Sequence, residues 1–446
     1  MSTNFHRRFM APAILAAAGI ALAGCTATGT TPPEEQSGPG DYGTADGIVT
    51  VYSQIVGSEA EQLEASWADW EADNGIDIQY EGSKEFEAQI SIRAQGGNAP
   101  DLAIIAQPGL LADLASRDFV QPSADGVKAN VESGWSEDWA NYASVDGTLY
   151  ASPLMADVKG WIWYSPSEFA TNGWEVPATY AELLTLTQTI RDAKGAAPWC
   201  AGFFSDAATG WPGTDWVEDV VLREAGTEVY DQWVSHEIPF ADPAIEAAFD
   251  SVGEILLNPD YVNAGFGDVK SIVTTGYLDP ARAVGDGTCS LHHQSAFFGD
   301  IVADPAQGNA TVGPDGDVWA FMMPGSEAGS NTVTGGGDFL AAFANDADTV
   351  KVQEYLSSAD WANSRVALGG KLSANKGVDP SLATSLINTE AVKVLQDPST
   401  TFRFDASDLM PGVVGSGSFW SGIVDWINGK PTAEVLSTID ASWPSD

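Results

Sequence analysis

The spacing of apolar and polar residues changes period several times in the first third of the chain, and each change predicts an element. Ile48-Val49-Thr50-Val51-Tyr52 is β-branched and aromatic, as a strand requires. Ser58 and Glu61 have capping-box spacing ahead of Leu63, Trp67 and Trp70, which predicts a helix that Gly75 stops. A second strand is expected over Ile76 to Tyr80, a second helix from about Phe86 to Gln95, and a nearly all-apolar strand from Asp101 to Ala106. Strand, helix, strand, helix, strand builds a parallel sheet with helices on both faces, and ligands of such sheets sit beyond the carboxyl ends of the strands. Ser53, Gln54 and Gln107, on the loops leaving the first and third strands, are therefore placed at a candidate site.

The second half reads as more helical. Thr179 and Glu182 form a capping box before Leu183, Leu186 and Ile190, and Asp242-Pro243 opens a helix carrying Ile245, Phe249, Val252 and Leu256. Phe419, Trp420, Ile423, Val424 and Trp426 make a dense apolar stripe closed by Gly429. No internal repeat is visible.

Ahead of the first strand the pattern is of another kind. His6-Arg7-Arg8, an apolar run from Phe9 to Ala23 and Leu22-Ala23-Gly24-Cys25 have the layout of a lipoprotein signal, with residues 1–24 as signal peptide and Cys25 as the thiol that carries lipid. The run is shorter than the ~20 residues of a spanning helix. The arginine pair matches only part of a twin-arginine export signal. Residues 25–47, rich in Thr, Pro, Gly and Glu, read as a flexible tether. The chain is expected to be exported and held on the outer face of the cytoplasmic membrane.

Of three cysteines, Cys200 and Cys289 remain, either as one disulfide, which an oxidising exterior permits, or as two buried thiols. The 62 acidic residues outnumber 19 basic ones for a formal charge of −43, two units more negative once Arg7 and Arg8 leave with the signal. Such a field repels nucleic-acid phosphates and anionic lipid heads, so partners of those classes are not expected. The ordered part is too long for one ordinary core and fits two large lobes.

Chemistry is harder to place. Among so many acids a carboxylate pair carries no information. The histidines show no metal-ligand spacing, no acidic run fits a calcium loop, and no nucleophile elbow, phosphate loop or dinucleotide fingerprint occurs, so neither metal nor cofactor is expected. Aromatic residues say more: tryptophan occurs 16 times. Trp67, Trp70 and Trp426 lie on apolar helical stripes and read as core. Trp211, in Thr209-Gly210-Trp211-Pro212-Gly213-Thr214-Asp215-Trp216, lies in a turn with Thr214 free to cap the next helix. A flat ring beside carboxylates suits a sugar, whose C–H face stacks while its hydroxyls donate. Gly335-Gly336-Gly337-Asp338 reads either as a close backbone approach to a ligand or as a tight turn, and Phe402 to Pro411 as a binding loop or a salt-bridged turn.

Together these segments resemble the sugar-binding lipoproteins of bacterial ABC importers, the maltose-binding-like solute-binding proteins, and within them the α-glucoside-binding branch. The likeness spans nearly the whole mature chain. It is carried by the Cys25 lipobox, Asn98-Ala99-Pro100-Asp101, Val158-Lys159-Gly160-Trp161-Ile162-Trp163-Tyr164, Pro198-Trp199-Cys200, Ala208 to Pro212, Trp233 to Phe240, Cys289 to Gln294 and the Gly-Gly-Asp ending at Asp338.

The resemblance implies an α/β, two-lobed periplasmic-binding-protein-like (type II) fold with the ligand between lobes, linked by crossings near Pro153 to Asp157, Val333 to Gly337 and Leu368 to Ser373. By it, residues 48–155 and 335–370 form the first lobe, and 156–334 and 371–446 the second. It implies Gln54, Gln107 and Asp157 for hydroxyls, Trp211, Asp215, Gln294 and Trp420 around the sugar rings, and Gly336, Gly337 and Asp338 at a crossing. The ligand would be a small neutral sugar and the partner a membrane permease; the protein would be a monomer without catalytic residues. Where a maltose binder has an aromatic after the third strand, this chain has Ala106-Gln107-Pro108, which favours a small glucoside. A secreted glycoside hydrolase or a surface lectin would also use aromatics and acids in a cleft.

Overall fold

The computed structural model describes residues 43–444, apart from residues 264 and 398. Cys25, the signal and nearly all of the tether lie outside the described residues. The strands are β1 (Ile48–Ser53), β2 (Asp77–Gly82), β3 (Leu102–Ile105), the hairpin β4 (Ser144–Val145) and β5 (Thr148–Leu149), β6 (Ala151–Val158), β7 (Trp161–Tyr164), β8 (Trp199–Cys200), β9 (Leu291–Gln294), β10 (Trp319–Met322), β11 (Thr332–Ala342) and β12 (Thr401–Phe404).

Two sheets organise two lobes. The first has the order β12-β11-β3-β1-β2, with β6 along the other side of β11; the second has the order β10-β7-β9-β8. β1, β2 and β3 run parallel, as the strand-helix alternation predicts. Successive side chains of a strand face opposite sides. Val51, Leu102 and Ile104 thus enter a core with Leu63, Trp67 and Trp361, while Tyr52, Ala103 and Ile105 enter another with Phe86, Leu114 and Trp139. In the second sheet Ile162 faces the helical core of Trp216, Phe249 and Trp426, while Trp161 and Trp163 face Phe298 and Val284.

β6 and β11 pair antiparallel over Ala151 to Val158 and carry the chain between sheets, with Leu372 bridging to Ala156 beside them. β12 then returns to the first sheet, parallel to β11, and Phe404 and Val378 pack in first-lobe cores. The placement of all of 371–446 in the second lobe is corrected accordingly: β12 fills the edge of β11 from Thr332 to Gly335 that β3 leaves uncovered, while Ala406 to Ile439 belongs to the second lobe.

Local expectations met mixed outcomes. Thr179 caps Glu182 N–H at 3.2 Å, and the Glu182 carboxylate accepts from Ala178 N–H at 2.7 Å. Asp242 caps the helix Pro243–Leu256. The Ser58 box does not form: Gly57, at φ 65°, is the N-cap and uses no side chain, and the helix breaks into Ser58–Ala65 and Ala68–Asn74. Thr214 is no cap either, because the helix starts at Trp211 and the Thr214 hydroxyl donates to Trp211 C=O. Gly335 to Gly337 lie inside β11 rather than in a turn.

A disulfide joins Cys200 and Cys289, Cα atoms 5.7 Å apart, across 89 residues. Closing a loop of that length stabilises by ~4.5 kcal/mol on the chain-entropy account.

Candidate functional site

A cavity of about 220 Å³ lies between the lobes. Its first-lobe wall comes from the carboxyl ends of β1 and β3. The loop after β1 is pinned by Ser53, whose hydroxyl accepts from Ile55 N–H at 3.0 Å and meets the Tyr80 hydroxyl at 2.6 Å. Ser53 is thereby spent on the loop itself, while its neighbour Gln54 faces the cavity. Gln107 sits immediately before the helix Pro108–Ser116 and faces the cavity beside Glu87.

The crossing strands supply the floor. Lys371 Nζ lies 2.9 Å from Asp157, 3.3 Å from Glu59 and 3.7 Å from Asp338, and Gln54 donates to Asp338 at 3.0 Å. Burial pulls the Lys371 pKa down, but the three carboxylates more than offset it and hold the ammonium charged. Burial raises Asp157 and Asp338 despite that lysine. Gly336 opens directly to the cavity: a Cβ there would reach Lys159 Cε at 3.4 Å. Gly337 faces the other way, where a Cβ would meet the Trp139 ring at 2.6 Å.

The second-lobe wall is aromatic and acidic. Gly210, at φ 117°, turns the chain so that Trp211 enters the cavity from the first turn of its helix; a Cβ on Gly210 would collide with the Trp420 backbone. Tyr277 stands 5.3 Å from the Trp211 ring centre and Phe297 6.4 Å. Trp420 begins its helix where a π-helical stretch, Val413–Phe419, ends. Below them Lys159 bonds Asp215 at 2.9 Å and also Asp405. Burial lowers the Lys159 pKa less than Asp215, Asp405 and Asp408 raise it, and Asp408 is pushed well above the usual carboxylate range by burial and then by Asp405.

The cavity therefore brings together Gln54, Gln107, Asp157, Trp211, Gly336, Gly337, Asp338 and Trp420. Two expected residues do not line the cavity. Asp215 shares a helix face with Trp211 but lies one turn on, behind the Lys159 ammonium. Gln294 belongs to β9, where its side-chain oxygen accepts from Ser295 N–H at 2.8 Å and its backbone oxygen from the Trp163 indole. Glu59, Glu87, Lys371, Tyr277 and Phe297 also line the cavity without a sequence signal, and the segment with Asp405 and Asp408, expected as a binding loop or a salt-bridged turn, both lines the cavity and carries the ion pair to Lys159. Among the described residues, Asp215, Glu218 and Asp405 bring carboxylate oxygens within 4.8 Å of one another, close enough for a metal ion. Lys159 already supplies a cation to two of the three.

A cavity at the strand ends of one sheet, roofed by a second sheet through shared crossing strands, is the architecture of a two-lobed solute-binding protein. The chain belongs to the family described as bacterial extracellular solute-binding protein, whose profile matches residues 57–365. It is a binding protein and not an enzyme, which removes the hydrolase alternative. It is 37% identical over 418 residues to the osmoprotective compounds-binding protein GgtB of Synechocystis sp., covering 91% of this chain and 95% of that one. It is 36% identical over 410 residues to the alpha-glucosides-binding periplasmic protein AglE of Rhizobium meliloti, covering 89% and 87%. Among solved structures it resembles the bacterial solute receptor AcbH, with a TM-score of 0.74 at 18% identity over 88% of this chain and 97% of that one.

Proposed function

We propose that the protein captures a small neutral α-glucoside, or a similarly hydroxylated osmoprotectant, and presents it to the membrane permease of an ABC importer. The observation that carries this reading is the imbalance of hydrogen-bonding groups in the cavity. Gln54 Oε1, Gln107 Oε1, Asp157 Oδ1 and Asp405 Oδ1 are buried acceptors without a protein partner, against Trp420 Nε1 as a donor in the same condition. Buried polar atoms demand partners. A neutral polyol meets these acceptors with O–H donors; a sugar phosphate or uronic acid keeps hydroxyl donors but adds an anionic group to a cavity lined by Glu59, Glu87, Asp157, Asp338, Asp405 and Asp408. The ring of Trp211, backed by Tyr277 and Phe297, supplies a flat apolar face for the C–H side of a pyranose.

The ligands for which the two relatives are named, osmoprotective compounds and α-glucosides, support the same chemistry. Anchoring through lipid on Cys25, and action as a monomer, belong to the same proposal and rest on the sequence pattern and the resemblance. A thermal-shift screen with trehalose, sucrose, maltose and their monosaccharides tests it, because a ligand at 100 times its Kd adds ~2.7 kcal/mol. Stabilisation by a neutral disaccharide, recovered uncleaved, is expected. Stabilisation by glucose 6-phosphate or glucuronate alone would overturn it.

A further inference from the structure

The two walls of the cavity are joined differently at its two ends. At one, β6 and β11 run through both lobes. At the other, Lys84, in the turn after β2, meets Asp206, in the loop beyond β8, with Nζ and Oδ2 3.1 Å apart. β2 is an outer strand of the first sheet, on the side away from β11. β8 is an outer strand of the second, opposite the β10 that leads into β11. The pair thus bridges the lobes on the edges farthest from the crossings. Asp206 has φ 48°, a conformation uncommon outside glycine, and begins the 3-10 turn Asp206–Ala208, which touches the helix Phe86–Gln95 across the mouth. Lys84, Ser205 and Ala208 all border the cavity.

We propose that Lys84 and Asp206 are positioning residues for ligand capture: their ion pair holds the mouth shut at the point of greatest leverage. A rotation about the crossing strands separates this contact further than any contact near the hinge. The side chains are 54% and 35% exposed, so salt reaches them, whereas the Lys159 and Lys371 pairs are buried. The closed population therefore falls as ionic strength rises. The inference rests on the two-lobed fold and not on the identity of the sugar, so a failed sugar screen leaves it standing.

The test uses the full-length protein with spin labels, carried by unnatural amino acids, on the two lobes. Inter-lobe distances are measured without ligand at low salt in the wild type, Lys84→Glu, Asp206→Lys and the double exchange. Each single reversal is expected to cut the closed population at least threefold, the double exchange to restore it, and 1 M NaCl to bring all four proteins together. A double exchange no more closed than the single variants would overturn the proposal. So would a wild type that is indifferent to salt or has no closed population.

Discussion

The two walls of the cavity are built on different terms. The first-lobe wall is an extension of regular structure: Gln54 and Gln107 stand where parallel strands end, and Asp338 sits within β11. The second-lobe wall is assembled from exceptions, namely a left-handed glycine before Trp211, a π-helical stretch before Trp420, and a short helix after β12 that carries Asp408. The first wall offers hydrogen-bonding atoms with directions fixed by a sheet. The second offers ring faces and a buried charge cluster whose arrangement depends on packing from four parts of the chain. Selection by donor pattern thus resides mainly on one side and selection by shape on the other.

That division can be broken by substitution. Lys159→Met leaves Asp215 and Asp405 buried without their cation and is expected to cost about 3–5 kcal/mol of stability, read from urea unfolding midpoints. An unchanged midpoint would mean that the second wall does not need its charge cluster. Trp211→Ala is expected to weaken binding of the best sugar from the screen about 30-fold by calorimetry, with little change in melting temperature. Gly336→Val places two methyl groups against Lys159 inside the cavity and should lower affinity about tenfold while the fold persists, because no backbone clash arises there.

The smallest effect concerns pH and the first wall. Burial raises the Glu87 pKa to about 7, an effect the Gln107 hydrogen bond only partly opposes. Its folded pKa therefore lies above the unfolded value, and the unfolded chain loses this proton first. Stability falls as pH rises from about 4.5 through 7, by about 1 kcal/mol for a side chain that keeps part of its solvent contact. Glu87→Gln should remove that slope, so melting curves of the two proteins should converge near pH 4.5 and separate toward pH 8. Parallel profiles would show that Glu87 is solvated as an ordinary surface acid.

The same contrast explains what was legible beforehand. The three parallel strands and the Gln54 and Gln107 positions follow from local periodicity plus one rule about sheet ends. The Thr179 box was readable because it is complete within four residues. The Ser58 box failed because Gly57 adopts a conformation that the pattern of its neighbours does not announce. Trp211 stood out by its punctuation, whereas only the fold reveals that the Lys159 ammonium stands between the cavity and Asp215, four residues on. Glu59, Asp157, Asp338 and Lys371 meet from four distant segments, so no spacing could reveal their cluster.

The long strand β11 has a consequence for biogenesis. β1, β2 and β3 are finished early in the chain, but β3 must wait for residues 339–342 before its second edge is covered. At ~5–20 residues per second, translation leaves that edge without its neighbour for roughly ten to fifty seconds. Meanwhile residues 161–322 can complete the other sheet. An unfilled hydrophobic edge invites pairing with a second nascent molecule. Chaperone demand during synthesis and export should therefore centre on the amino-terminal half, whose sheet is completed only by strands from the far end of the chain.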